Sequence, residues 1–259
     1  PKLNIKKVFA VLIAIAVIVM FVIGIKKLFS SEDTVKEKSV ILRYFPIYTN
    51  GKWGVIDSRG NTIIEPTYDE YIVIPDNQKA IFICTTDVNY NENTYNTIVL
   101  NEKGEELFTT YDTVEAIENY DESNNLWYQA GILKVSKDGK YGLIDTNGTQ
   151  IANCEYDWIN ALKGVENSLL TEKSGKLGII DNVGSVIIDN KYREIKPIST
   201  RFEDGYIVKN EDNQYGVITY TKTVAVEEKY DAIKNVYGGG KYYIVKENDN
   251  WEVVDTEGN

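Results

Sequence analysis

The sequence predicts an all-β array of tandem three-stranded β-meanders, open and propeller-like or solenoidal, preceded by one transmembrane helix. Three observations carry that expectation. A nine-residue block recurs, as KWGVIDSRG from Lys52, KYGLIDTNG from Lys140 and KLGIIDNVG from Lys176. Tyrosine dominates the aromatic residues, with 19 Tyr against 4 Trp and 7 Phe, and aromatic side chains favour strands. The N-terminal 27 residues hold a long apolar run that matches nothing in the rest of the chain.

That run, Val8 to Ile25, contains no charge. As a helix it would span roughly 27 Å, about the thickness of a bilayer core. Lys2, Lys6 and Lys7 precede it and Lys26 and Lys27 follow. A buried core helix of this length would show a polar face. A cleaved signal peptide has a shorter apolar stretch, roughly 7–15 residues, and a small-residue cleavage site, which is absent here. No cysteine stands near its end to carry a lipid. Residues 1–27 therefore read as an uncleaved signal anchor, 28–39 as a polar linker and 40–259 as the repeat domain. Three lysines before the span against two after it place the N-terminus in the cytoplasm and the repeats outside.

Without the anchor, 23 basic and 39 acidic residues leave a net charge of −16. Such a domain is repelled by phosphate backbones, so no nucleic-acid partner is expected. The chain has no histidine, which removes His-based zinc sites and His-activated nucleophiles. Two cysteines, Cys84 and Cys154, are too few for a disulfide scaffold, and the sequence leaves open whether they pair.

The block extends into a repeat. Its aromatic column holds Trp53, Tyr141, Leu177, Tyr215 and Trp251, with steps of 36, 38 and 36 after Tyr141. Glycine follows at Gly54, Gly142, Gly178 and Gly216, with Glu252 in the last copy. Asp57, Asp145 and Asp181 open D-x-x-G segments that end at Gly60, Gly148 and Gly184. Eight residues later come Tyr68, Tyr156 and Tyr192, followed by Asp69, Asp157 and Arg193. A degenerate copy from Ile98 keeps Gly104, Tyr111 and Asp112 behind an Asn-rich insertion. The chain after about residue 40 thus holds five repeats and a truncated sixth, and such a period marks a solenoid, propeller or array. Each repeat is a first strand, the aromatic-Gly strand and a short third strand; the Tyr-Asp segment, with apolar residues three and six further on, suits a tight helical turn or an irregular strand. The column is expected to be buried between neighbouring repeats. No spare strand is visible to close a ring, so an open array is favoured over a closed five- or six-bladed propeller.

D-x-x-G resembles the start of a calcium loop, but it recurs at hairpin spacing. Glycine at the third loop place supplies the left-handed residue of a type I turn with a G1 bulge. Calcium needs several converging oxygens, and Ser58-Arg59 and Asn182-Val183 do not reproduce those of Thr146-Asn147. No metal site and no cofactor are expected. The glycine after the aromatic lets a neighbouring ring or backbone approach, and the Asp after Tyr reads as a turn cap. Trp127 and Trp158 fall outside the aromatic column and are the candidate ligand contacts, with core or edge filling as the plainer alternative.

KWGVID-x-x-G followed by Tyr-Asp resembles the bacterial WG-repeat (KWG-repeat) proteins over roughly residues 40–259. The resemblance implies an all-β repeat domain and no catalytic residues to carry over. The expected function is a membrane-anchored, extracytoplasmic binding or scaffold module for a protein or cell-envelope ligand, and not an enzyme. The alternatives are a ligand-sensing or enzyme-associated module of a larger protein, or a glycosidase built on a carboxylate pair.

Overall fold

Alternating apolar and polar residues, broken every few positions by Asp, Asn and Gly, fold this chain into short antiparallel strands. A computed structural model describes residues 42–235 and 242–255. The apolar run Val8–Ile25 lies outside the described residues, and among those described no helix is long and apolar enough to cross a membrane. Among the described residues six sheets follow one another, each a meander of consecutive strands with no crossover. The first holds β1 (Tyr44–Thr49), β2 (Lys52–Asp57) and β3 (Thr62–Tyr68), and the second β4 (Phe82–Asn89), β5 (Thr94–Leu100) and β6 (Glu106–Leu107). The third holds β7 (Thr113–Tyr120), β8 (Leu126–Lys137), β9 (Lys140–Asp145) and β10 (Gln150–Tyr156). The fourth holds β11 (Trp158–Ala161), β12 (Leu169–Lys173), β13 (Lys176–Ile180) and β14 (Val186–Tyr192). The fifth holds β15 (Glu194–Pro197), β16 (Tyr206–Lys209), β17 (Tyr215–Ile218) and β18 (Val224–Tyr230), and the sixth β19 (Ala232–Asn235), β20 (Tyr242–Glu247) and β21 (Asn250–Asp255).

Three of the sheets have four strands where three were expected. The extra strand is the segment after each Tyr-Asp, which leaves its own repeat and becomes the first strand of the next sheet. So β7, β11, β15 and β19 follow Tyr111, Tyr156, Tyr192 and Tyr230. In the second sheet that strand shrinks to one bridge, Val73 to Ile83. The apolar residues spaced by three are explained by the strand's short length. Ile159 and Ile195 point inward from β11 and β15, whereas Leu162 and Ile198 lie just past the strand ends, where the chain turns in.

Each strand borrowed from the preceding repeat helps to seal one sheet against the next. Five apolar clusters result, one per consecutive pair of sheets. Val55, Ile64 and Phe82 join the first to the second, and Ile83, Val99 and Leu133 the second to the third. Leu143, Ile159 and Leu169 join the third to the fourth, Ile179, Tyr192 and Tyr206 the fourth to the fifth, and Val217, Tyr230 and Tyr243 the fifth to the sixth. Among the described residues no cluster joins the sixth sheet to the first.

The glycine after the aromatic is needed for a close approach of backbone. Opposite Gly142 the β9–β10 register slips between the pairs Leu143–Ala152 and Tyr141–Tyr156. The bulged strand crosses so near that a Cβ on Gly142 would lie 2.6 Å from the Ala152 carbonyl oxygen and 2.8 Å from Cys154 N. Gly54, Gly178 and Gly216 stand in the same place.

The aromatic column differs from its expected burial. Trp53, Tyr141, Leu177 and Tyr215 are only half-buried and Trp251 is exposed. Each stands one residue past a hairpin turn, at a sheet end that water reaches. The buried rings are those opposite, Tyr156, Tyr192 and Tyr230, at the ends of the bulged strands. Tyr192 extends to the next sheet, where its hydroxyl donates to Glu228 at 2.5 Å.

Candidate functional site

The recurrent motifs make turns and latches. At Asp145–Gly148 the Gly148 N–H bonds the Asp145 carbonyl at 3.0 Å, and Gly148 has φ +87°. One carboxylate oxygen of Asp145 accepts the Asn147 and Thr149 N–H groups at 2.8 and 2.7 Å. These bonds, Thr149 first, hold its carboxyl below the usual range. Asp57 and Asp181 repeat the geometry, and Asn101 and Asn210 reproduce it with an amide oxygen. The donors inside each turn therefore engage the oxygen that a calcium ion would need. Among the described residues no cluster of three acidic or thiol side chains is placed to hold a metal.

The Tyr-Asp carboxylate caps the hairpin of the following sheet. Asp157 accepts the Ser174 N–H at 2.6 Å, Asp112 the Asp138 N–H at 2.8 Å and Asp231 the Asn248 N–H at 3.1 Å. Lys140 pairs with Asp157 and Lys52 with Asp69. Where Arg193 replaces the acid, Glu211 supplies it and draws in both Lys176 and Arg193. Such compensation marks these charges as structural.

A cleft of about 370 Å³ opens between the second and third sheets, within the range of small-molecule sites. Ile83 and Ile117 form an apolar part of its lining. Its polar wall carries Tyr95 and Thr97 from β5, Glu115 and Glu118 from β7, Lys134 from β8 and Asn160 from β11. Lys134 and Glu115 pair at 2.7 Å with side chains only 16% and 20% exposed. The Tyr95 hydroxyl donates to Glu115 at 3.2 Å. Burial first, and then the Glu115 charge, pushes the Tyr95 phenol up to about 12, so it stays a donor at neutral pH. Lys134 also lies 5.3 Å from the centre of the Tyr141 ring. The cleft thus combines an ammonium, carboxylates, hydroxyls and an aromatic ring, a set suited to reading polar ligands.

This is also where the repeat departs from its own pattern. The residue opposite the second position after the column aromatic is Pro46, Leu170, Ile207 and Ile244 in four sheets, and Lys134 in the third. Facing that column stand Asn160, Lys196 and Lys234, and in the third sheet Glu115. At this position, among the described residues, the third sheet is the one that sets an acid against a base; the fifth sheet faces Glu194 with Lys209, but at the far end of its strands. A strand-by-strand alignment of the repeats would have singled out Lys134.

Trp127 and Trp158 are not brought into this cleft. Trp127 lies on β8 opposite Asn119, and Trp158 on β11 opposite Glu172, whose carboxylate accepts its indole N–H at 2.5 Å. Both are half-buried, in different sheets. Cys84 is buried and Cys154 half-buried, and both are free thiols.

The description of a WG containing repeat matches residues 53–82 and 141–164. None of the curated proteins matches the chain. Among solved structures, a crystal structure of a eukaryotic initiation factor aligns at 13% identity and a TM-score of 0.37, covering 85% of this chain and 62% of that one. The WD40 β-propeller domain of Doa1 aligns at 11% identity and a TM-score of 0.28, covering 71% of this chain and 64% of that one. The chain spans less than two thirds of either.

Proposed function

We propose that this chain, a WG-repeat protein, is a non-catalytic binding module. Its cleft between the second and third sheets takes a small polar ligand, or the polar end of a larger cell-envelope partner. The apolar run Val8–Ile25 anchors the domain to the membrane, with the repeats on the outer side. The carrying observation is the Lys134–Glu115 pair, a facing acid and base that the repeat architecture does not need and that lines the cleft. Charge argues against a nucleic-acid partner, because a domain at −16 repels phosphates. The anchor reading rests on run length and flanking lysines.

The test is a titration of the full chain with a soluble disaccharide–peptide fragment of cell wall, followed by heteronuclear NMR. Shifts confined to cleft residues, weakened at least about tenfold by Glu115→Gln, support the reading; each tenfold step corresponds to about 1.4 kcal/mol. Absence of shifts, or shifts elsewhere, overturns the cleft as the site. Turnover of the same fragment, lost in Glu115→Gln, overturns the non-catalytic reading. Protease added to intact cells should degrade the chain beyond Leu28, and full protection would reverse the orientation.

A further inference from the structure

A second site is suggested by what the protein places on its own aromatic column. In three repeats a lysine ammonium lies over the column ring. Lys134 is 5.3 Å from the centre of Tyr141, Lys209 is 5.2 Å from that of Tyr215, and Lys234 is 4.8 Å from that of Trp251. A cation held this close to a ring face is attracted by its quadrupole. The first repeat is the exception. Among the described residues no cation lies over Trp53.

Two further rings stand there instead. Tyr48 packs on Trp53 at 4.9 Å between centres with planes inclined at 47°, and Tyr71 meets it edge-on at 4.9 Å and 79°. Tyr48 faces Trp53 across β1 and β2, as Lys209 faces Tyr215 across β16 and β17. A tyrosine thus stands in the first sheet where the fifth sheet has Lys209. Tyr48 is 60% and Tyr71 46% exposed, so ring surface is open to solvent. Lys52, the nearest cation in sequence, is engaged with Asp69.

We infer that the Tyr48–Trp53–Tyr71 cluster binds a lysine side chain of a basic protein partner, supplied from outside where the other repeats supply their own. Three features select that ligand. The chain uses lysine for this contact on three column rings, reaching them from different register positions. Three inclined rings form a concentrated aromatic surface. The domain's net charge of −16 draws basic partners toward it. The site is separate from the Lys134–Glu115 cleft, and the two stand or fall independently.

The test uses the full chain in maltoside micelles, since phosphocholine detergents would compete. The probe is the blocked tripeptide acetyl-Gly-Lys-Gly-amide, followed by NMR through saturation transfer and upfield ring-current shifts of its Cε protons. Binding in the millimolar range is expected, about fivefold tighter than for the norleucine isostere, which keeps the stem and lacks the charge. Tyr48→Lys should place an internal ammonium on Trp53, as Lys209 is placed on Tyr215, and weaken the probe about fivefold while the chain still melts cooperatively. Val183→Lys, which adds the same charge at an exposed turn of the fourth sheet, should leave binding within about twofold. If Tyr48→Lys fails to fold, Tyr71→Ser at its exposed position gives the same reading. Equal binding of the norleucine peptide shows an apolar patch only. No binding to the wild-type chain, unchanged binding to the folded variants, or tighter binding of choline than of the lysine peptide also overturns the proposal.

Discussion

Gly142→Ala is the sharpest test of the repeat's construction. The added methyl would lie 2.6 Å from the Ala152 carbonyl oxygen and 2.8 Å from Asn153 C and Cys154 N. These are backbone atoms of the bulged strand, so no side chain can swing away. Relief to ordinary contact requires β10 to move by several tenths of an ångström, and β10 carries Tyr156 into the third–fourth sheet core. Overpacking of this kind costs roughly 1–3 kcal/mol, and a backbone obstacle belongs at the upper end. Loss of glycine's freedom in the unfolded chain offsets about 0.4–1 kcal/mol, leaving a net cost of about 2 kcal/mol. Gly175→Ala is the control. Gly175 has φ +75° with nothing within 4 Å of the added carbon. Its cost is left-handed strain of roughly 1–2 kcal/mol, reduced by the same offset to about 1 kcal/mol or less. Urea unfolding followed by tryptophan fluorescence measures both. With a slope of roughly 2 kcal/mol/M, Gly142→Ala should lower the midpoint by about 1 M and Gly175→Ala by half that or less. An equal or smaller effect at Gly142 would refute the close-approach argument.

The Asp145 carboxyl is held below its ordinary value by the N–H groups of its turn. Its contribution to stability is therefore present above the unfolded value of about 3.9 and disappears as pH falls through the lower folded value; Asp145→Asn should flatten the acid limb of a stability–pH curve. Millimolar calcium should leave the melting temperature unchanged, and a rise abolished by Asp145→Ala would contradict the turn reading. At the cleft, Lys134→Met or Glu115→Leu alone should cost about 2 kcal/mol by stranding the partner, and the double variant less than either; additive losses in a double-mutant cycle would contradict this. Tyr192→Ala removes a fully buried ring and should cost about 4 kcal/mol in chemical denaturation, whereas Trp251→Ala, at a 47% exposed site, should cost about 1 kcal/mol; equal losses would mean that the sixth sheet is packed on both sides.

The parts of this fold that were legible are those decided locally. D-x-x-G specifies its turn by itself, because the carboxylate bonds N–H groups two and four residues on. The glycine after the aromatic was legible as a point of close approach, although sequence could not say that the approaching group is backbone. The sheet boundaries were not legible. The sequence repeat ends at Tyr-Asp, yet the next few residues pair forward, as Trp158–Ala161 pair with Leu169–Glu172. Nothing local distinguishes a last strand from a first one. Burial of the aromatic column was misread for a related reason: conserved spacing marks a ring, but the bulge opposite the glycine decides which of two facing rings goes inside. The cleft was hidden because its residues are unremarkable singly. Lys134 acquires meaning only against Pro46, Leu170, Ile207 and Ile244, and that column exists only once strand register is known.

Register also distinguishes the sixth sheet from the others. Four sheets place glycine beneath the bulge of the following strand, and β21 places Glu252 there. At Gly54, Gly142 and Gly178 a Cβ would come within 2.6 Å of a carbonyl oxygen of the incoming strand, and at Gly216 within 2.8 Å. A strand of the usual bulged form therefore cannot lie over Glu252 without displacement of its backbone. Position 252 therefore sets the sixth sheet apart from the first, third, fourth and fifth by what its register leaves room for.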